Sequence, residues 1–159
     1  MTHTSRARSG LGRRDLLRLA ALAPAAAVLP ACGAGPQPDP LQALAQSAES
    51  DAALARAVAS AHRDLAGPAG SVASVRAAHA KALHEEINRI NPPDPDKRRP
   101  GPPQVRAPGS AEQAKAQLVG RLRDVQGRAS AMVPGLPAYR AGLVGSVSAS
   151  CAGLLEVLG

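Results

Sequence analysis

Apolar positions recur at spacings of three and four residues in four separate stretches of this chain, which predicts four helices that each bury one face. The first stretch carries Leu41, Leu44, Ala48, Ala52, Ala55, Val58, His62 and Leu65. Asp39 and Pro40 ahead of it supply an N-cap and a proline at the first helical position. This helix is predicted to run to about Ala66 and to close at Gly67-Pro68. The second stretch, Val72, Val75, His79, Leu83, Ile87 and Ile90, begins with Ser71 as cap and ends near Asn91, before Pro92-Pro93. The loop from Gly67 to Gly70 is short, so the first two helices should be antiparallel neighbours. Ser110 and Gln113 form a capping box for the third helix, which carries Ala114, Leu118, Leu122, Val125, Ala129 and Met132. Pro134-Gly135-Leu136-Pro137 breaks the pattern. The fourth helix follows with Leu143, Val147, Cys151, Leu154 and Leu158, and Gly142, Gly145 and Gly153 are expected to admit a neighbouring helix closely.

Residues 92–109 hold Pro92, Pro93, Pro95, Pro100, Pro102, Pro103 and Pro108 and no apolar periodicity, so an extended, exposed loop is expected there. It is long enough to cross between two helical hairpins. Docking of this polyproline run into a partner's aromatic groove is the alternative. Residues 39–159 are therefore predicted to form an all-α four-helix bundle interrupted by the loop. Composition agrees, because Tyr139 is the only aromatic residue and aromatic content is 1%. A core without rings must rely on Leu, Val and close packing over Ala, and Ala is the best helix former.

The segment ahead of the bundle has a different character. A basic region reaches Arg14, an apolar stretch runs from about Leu16 to Ala31, and Cys32 follows at once. Gly12-Arg13-Arg14-Asp15-Leu16-Leu17-Arg18 resembles a twin-arginine export motif. The apolar stretch is Ala-rich and broken by Pro24 and Pro30, too short and too mild for a spanning helix, which needs ~20 strongly apolar residues. Leu29-Pro30-Ala31-Cys32-Gly33 resembles a lipobox, with Pro30 as its one departure. Residues 1–31 are thus expected to be a cleaved signal peptide, with Cys32 as the lipidation site and 32–38 as a tether. The partner so implied is membrane lipid, reached through a diacylglyceryl anchor on the extracytoplasmic face of the cell membrane. Cleavage within Ala25-Ala26-Ala27 is the alternative, and it would leave Cys32 free to pair with Cys151.

This partition changes the meaning of the charge. The whole chain carries a formal +7, with 19 basic and 12 acidic residues. Arg6, Arg8, Arg13, Arg14 and Arg18 lie in the signal against Asp15 alone, so removing it takes away more than half of the basic excess. What remains is mixed in sign apart from Lys97-Arg98-Arg99, and no nucleic-acid partner is expected.

Histidines are the chemically suggestive residues of the remainder. His62 and His79 fall on the apolar stripes, and His79 precedes Glu86 by two helical turns, which makes His62, His79 and Glu86 the candidate metal ligands. Di-iron bundles, however, need Glu-x-x-His pairs from two helices, and no such pair occurs here. Ser146, Ser148 and Ser150 have no histidine nearby in sequence, and Cys151 sits among apolar residues that disfavour a reactive thiolate. No cofactor and no catalytic residue is expected.

The signal motifs (Arg13-Arg14 and Leu29 to Gly33), the helix from His79 to Glu86 and Ser148-Ala149-Ser150-Cys151 together give a chain that resembles the Ala-rich, twin-arginine-exported lipoproteins of high-GC Gram-positive bacteria. Some of these have ferritin-like helical domains of unknown function. The resemblance implies an envelope location and a ferritin-like helix arrangement, while the missing ligands keep ferritin-like chemistry from being carried over. The expectation is a membrane-anchored, non-enzymatic interaction or binding module with an envelope protein partner. A degenerate ferritin-like metal- or redox-handling protein is the alternative.

Overall fold

Each apolar stretch is a helix in the computed structural model of the protein, which describes residues 38–96, 101 and 103–159. The helices are α1 (Gln42–Ala61), α2 (Ala66–Ile90), α3 (Ala111–Met132) and α4 (Ala138–Leu158). Arg13, Arg14, Cys32, the signal over 1–31, the tether up to Gln37 and Lys97-Arg98-Arg99 lie outside the described residues.

The helix ends follow their local chemistry. Asp39 accepts a hydrogen bond from the Leu41 N–H at 2.9 Å in the turn ahead of α1, but α1 starts at Gln42 with Leu41 at the N-cap position, two residues later than the expected Asp39 cap. Ser110 accepts from the Gln113 N–H at 3.2 Å, the serine half of the expected box. Pro92 ends α2, because a residue before proline avoids helical geometry and Asn91 is extended at φ −123° and ψ 82°. The junction of α1 and α2 corrects the expectation: the chain breaks at His62 (φ −125°, ψ 102°), and Gly67 and Pro68 lie in the first turn of α2. Pro68 needs no N–H there, since first-turn amides lack intrahelical partners, so the proline marks a start and not a stop. Ser71 is accordingly inside α2, where its hydroxyl donates to the Gly67 carbonyl at 3.3 Å.

α1 and α2 form one antiparallel hairpin and α3 and α4 the other, with α1 also packed on α3 and α2 on α4. The crossover 91–110 runs from the end of α2 to the far end of α1. There the His62 Nε2–H donates to the Pro108 carbonyl at 2.9 Å. α3 therefore runs parallel to α2, and α4 parallel to α1. The crossover is not wholly exposed, as was expected: Val105 and Ala107 pack against the core.

Leu41, Leu54, Val58, Val72, Leu83, Leu118, Leu122, Val125, Val144 and Val147 form the interior, with Ala45, Ala48, Ala55, Ala69, Ala114 and Ala129 letting the helices approach. Each buried Leu or Val contributes roughly 1.5–3 kcal/mol. Ile90, expected in the core, is 48% exposed as the last residue of α2. The fourth helix also departs from expectation. A Cβ built at Gly142, Gly145 or Gly153 meets no atom within 4 Å, so these glycines face open space and not a neighbouring helix. α4 is long and apolar enough to cross a membrane, with a mean hydropathy of 1.6 over 18 residues, of which 33% are buried here. It nevertheless brings the buried Arg140 into the bundle.

Candidate functional site

Charged residues stand at buried positions in three of the four helices, α1, α2 and α4, and α3 adds the partly exposed Arg121. Arg76 of α2 has no exposed surface and Asp51 of α1 is 2% exposed. The Arg76 guanidinium donates from Nε and Nη2 to Asp51 Oδ2 at 3.2 and 3.0 Å. From α3, Arg121 Nη1 donates to Asp51 Oδ1 at 3.2 Å and to the Ser50 hydroxyl at 3.1 Å. Arg76 Nη1 faces His79 Nδ1 at 3.1 Å and Cys151 Sγ of α4 at 3.9 Å. A guanidinium can only donate, so His79 Nδ1 is the acceptor and the ring is neutral. Burial, and then the Arg76 charge, push the His79 pKa down to about 4. Burial pushes the Cys151 thiol up, which keeps it protonated; it is a free, buried cysteine.

A second network closes the end of the bundle where α1 begins. Arg140 of α4 donates to Glu86 of α2 at 3.0 Å, and to both carboxylate oxygens of Asp39 at 3.2 and 2.6 Å. Arg89 donates to the two Glu86 oxygens at 2.8 and 2.9 Å, and its guanidinium lies 5.9 Å from the centre of the Tyr139 ring. Hydrogen bonds from Arg89 and Arg140 hold the Glu86 pKa at about 2. Burial works to raise the Asp39 pKa, but the bonds from Arg140 and the Leu41 N–H outweigh it and the net direction is down. Among the described residues no buried side-chain nitrogen or oxygen lacks a partner.

The three candidate ligands are thus dispersed. His62 ties the crossover to α1, His79 is held by Arg76, and Glu86 is taken up by two arginines. Among the described residues no three His, Cys, Asp or Glu side chains converge as metal ligands.

One opening that a ligand could enter lies between α1 and α2 beneath the crossover, a cleft of about 530 Å³. Gln42, Gln46, Glu49 and Ser50 form one wall, and His84, Ile87, Asn88 and Asn91 the other. Pro93, Gly101 and Pro103 form its rim. Glu49 Oε1 and His84 Nε2 meet across it at 2.8 Å, with His84 nearly covered and Glu49 partly open to water. Amide side chains offer both donors and acceptors, but most of the lining surface is apolar, so the walls suit a ligand that combines hydroxyl or amide groups with apolar surface. Apart from Ile87, which is on the α2 stripe, the periodic pattern missed these residues because they flank the core stripe and do not lie on it. Protein-family models, curated proteins and solved structures give no match to this chain.

Proposed function

We propose that this chain is a lipid-anchored extracytoplasmic binding module, non-enzymatic, that holds a ligand with both polar groups and apolar surface in the cleft between α1 and α2. The cleft is the observation that carries the reading: amides line both walls, and a Glu49–His84 pair spans them at 2.8 Å. Titratable groups of the bundle that lie outside the cleft support the non-enzymatic part of the reading. His79, Glu86 and Cys151 are each moved away from neutrality, whereas a general acid or base works best with a pKa near the ambient pH. The address is carried by Arg13-Arg14 and by Leu29 to Gly33, with Cys32 as the acceptor of the lipid.

Two measurements test the two halves of this reading. Full-length protein made in a bacterial host should float with vesicles on a density gradient, and the Cys32→Ala variant should stay at the bottom; equal behaviour removes the anchor. Titration with soluble peptidoglycan fragments, which present hydroxyl, N-acetyl and peptide groups, should shift the amide NMR signals of Gln46, Glu49 and His84. Shifts scattered over the surface, or none, remove the cleft as a site for that class.

One observation favours the alternative, a degenerate ferritin-like metal- or redox-handling protein: two antiparallel hairpins joined by one long crossover, the connectivity of ferritin-like bundles. Against it, Asp51, His79 and Cys151 all surround the Arg76 guanidinium, which places a fixed cation among these potential metal donors. Calorimetric titration with Fe(II) or Zn(II) separates the two, and micromolar binding lost in His79→Ala would favour the metal reading.

A further inference from the structure

We propose that the end of the bundle formed by the C-terminus of α2 and the N-terminus of α4 rests on the membrane surface, with Ile90 and Tyr139 at the headgroup layer. This rests on the anchoring proposed above. Three large apolar side chains stand out as exposed among the described residues: Ile90 at 48%, Tyr139 at 71% and Val157 at 49%. Two of them share one end. Ile90 is one turn beyond Glu86, and Tyr139 adjoins Arg140, which binds Glu86 at 3.0 Å. Val157 is at the opposite end of α4, about 27 Å along the helix axis.

The chain enters the bundle at the same end. Asp39 is fixed there by Arg140 at 2.6 Å, and from Cys32 to Pro38 a fully extended chain spans only ~20 Å. An anchor on Cys32 therefore keeps this end near the bilayer, while the far end lies a helix length away. The side chains suit that position. A tyrosine has an apolar ring and a polar tip, the pattern favoured at membrane interfaces. The Arg89 guanidinium over its ring is 64% exposed, a cation that an acidic headgroup can meet. A second copy of the chain is a poorer occupant, because stable protein interfaces bury roughly 1,200–2,000 Å², far more than two side chains at the end of a bundle provide. The cleft begins at Gln42 and Asn91 on this end, so docking brings a bound ligand close to headgroup level.

The protein contains no tryptophan, so one introduced residue gives an unambiguous signal. Full-length Ile90→Trp, Tyr139→Trp and Val157→Trp variants would be reconstituted in acidic phospholipid vesicles that carry brominated acyl chains. In protein that floats with the vesicles, fluorescence at positions 90 and 139 should be quenched several-fold more strongly than at 157. Equal quenching at all three positions in floating protein overturns the docking and leaves the anchor standing. Protein that does not float overturns the anchor and the docking with it.

Discussion

Replacing Asp51 by alanine leaves Arg76 as a buried guanidinium with no carboxylate. Arg76 has no exposed surface, and both of its bonds to a carboxylate, at 3.0 and 3.2 Å, go to Asp51 Oδ2. What remains for it is a neutral imidazole at 3.1 Å and a thiol at 3.9 Å. Breaking a buried ion pair from one side costs about 3–5 kcal/mol, because the surviving charge stays out of water without compensation. Domains of this size hold only 5–15 kcal/mol in total, and 4 kcal/mol corresponds to a fall of about 15 °C in melting temperature. Arg121 also binds Asp51, but its side chain is 36% exposed and can return to solvent, so Arg121→Ala should cost about 0.2–1 kcal/mol. Urea unfolding followed by circular dichroism at 222 nm measures both variants, with the slope checked for two-state behaviour. The double variant Asp51→Leu, Arg76→Met removes both charges and should recover most of the loss. An Asp51→Ala cost below about 1 kcal/mol, or a double variant weaker than Asp51→Ala, would refute the claim that the pair is desolvated.

Two further outcomes follow from other parts of the structure. Gly142→Ala, Gly145→Ala and Gly153→Ala should each raise stability by up to about 1 kcal/mol, since each Cβ would enter open space in a helix; a loss in thermal melting would mean that something does pack there. Stability should fall with acid in two stages. The folded His79 has a pKa near 4 against 6.5 unfolded, so the unfolded chain binds the extra proton and stability is lost as pH drops from about 6.5 to 4. Glu86, held near 2 against 4.5, contributes stability that is present above about 4.5 and lost below it. Melting temperature measured against pH should show both stages, and His79→Gln should remove the first while leaving the second.

The helices were legible because each core stripe keeps its 3.6-residue period, and α3 shows this best: Ala114, Leu118, Leu122, Val125 and Ala129 are all buried. The junction of α1 and α2 was not, because Gly-Pro is ambiguous between a helix stop and a first turn until the neighbouring packing decides. The charged interior was legible in principle. Asp51 lies three residues after Ala48, Arg76 four after Val72, and Arg140 four before Val144, all at core spacings, and opposite charges at such positions on facing helices pair. A reading confined to apolar residues passes over them. The cleft was the least legible, because it depends on where the crossover lands, and that is decided at long range by the bond from His62 to Pro108.

The grip of Arg140 on Asp39 also has a mechanical meaning. Tension on the chain ahead of Pro38 would ordinarily peel α1 from its end, one turn at a time. Here Asp39 is bonded through both carboxylate oxygens to α4, and Arg140 is bonded in turn to Glu86 of α2. A pull is therefore shared with α4 and α2 at the point where it arrives, before α1 can begin to unravel.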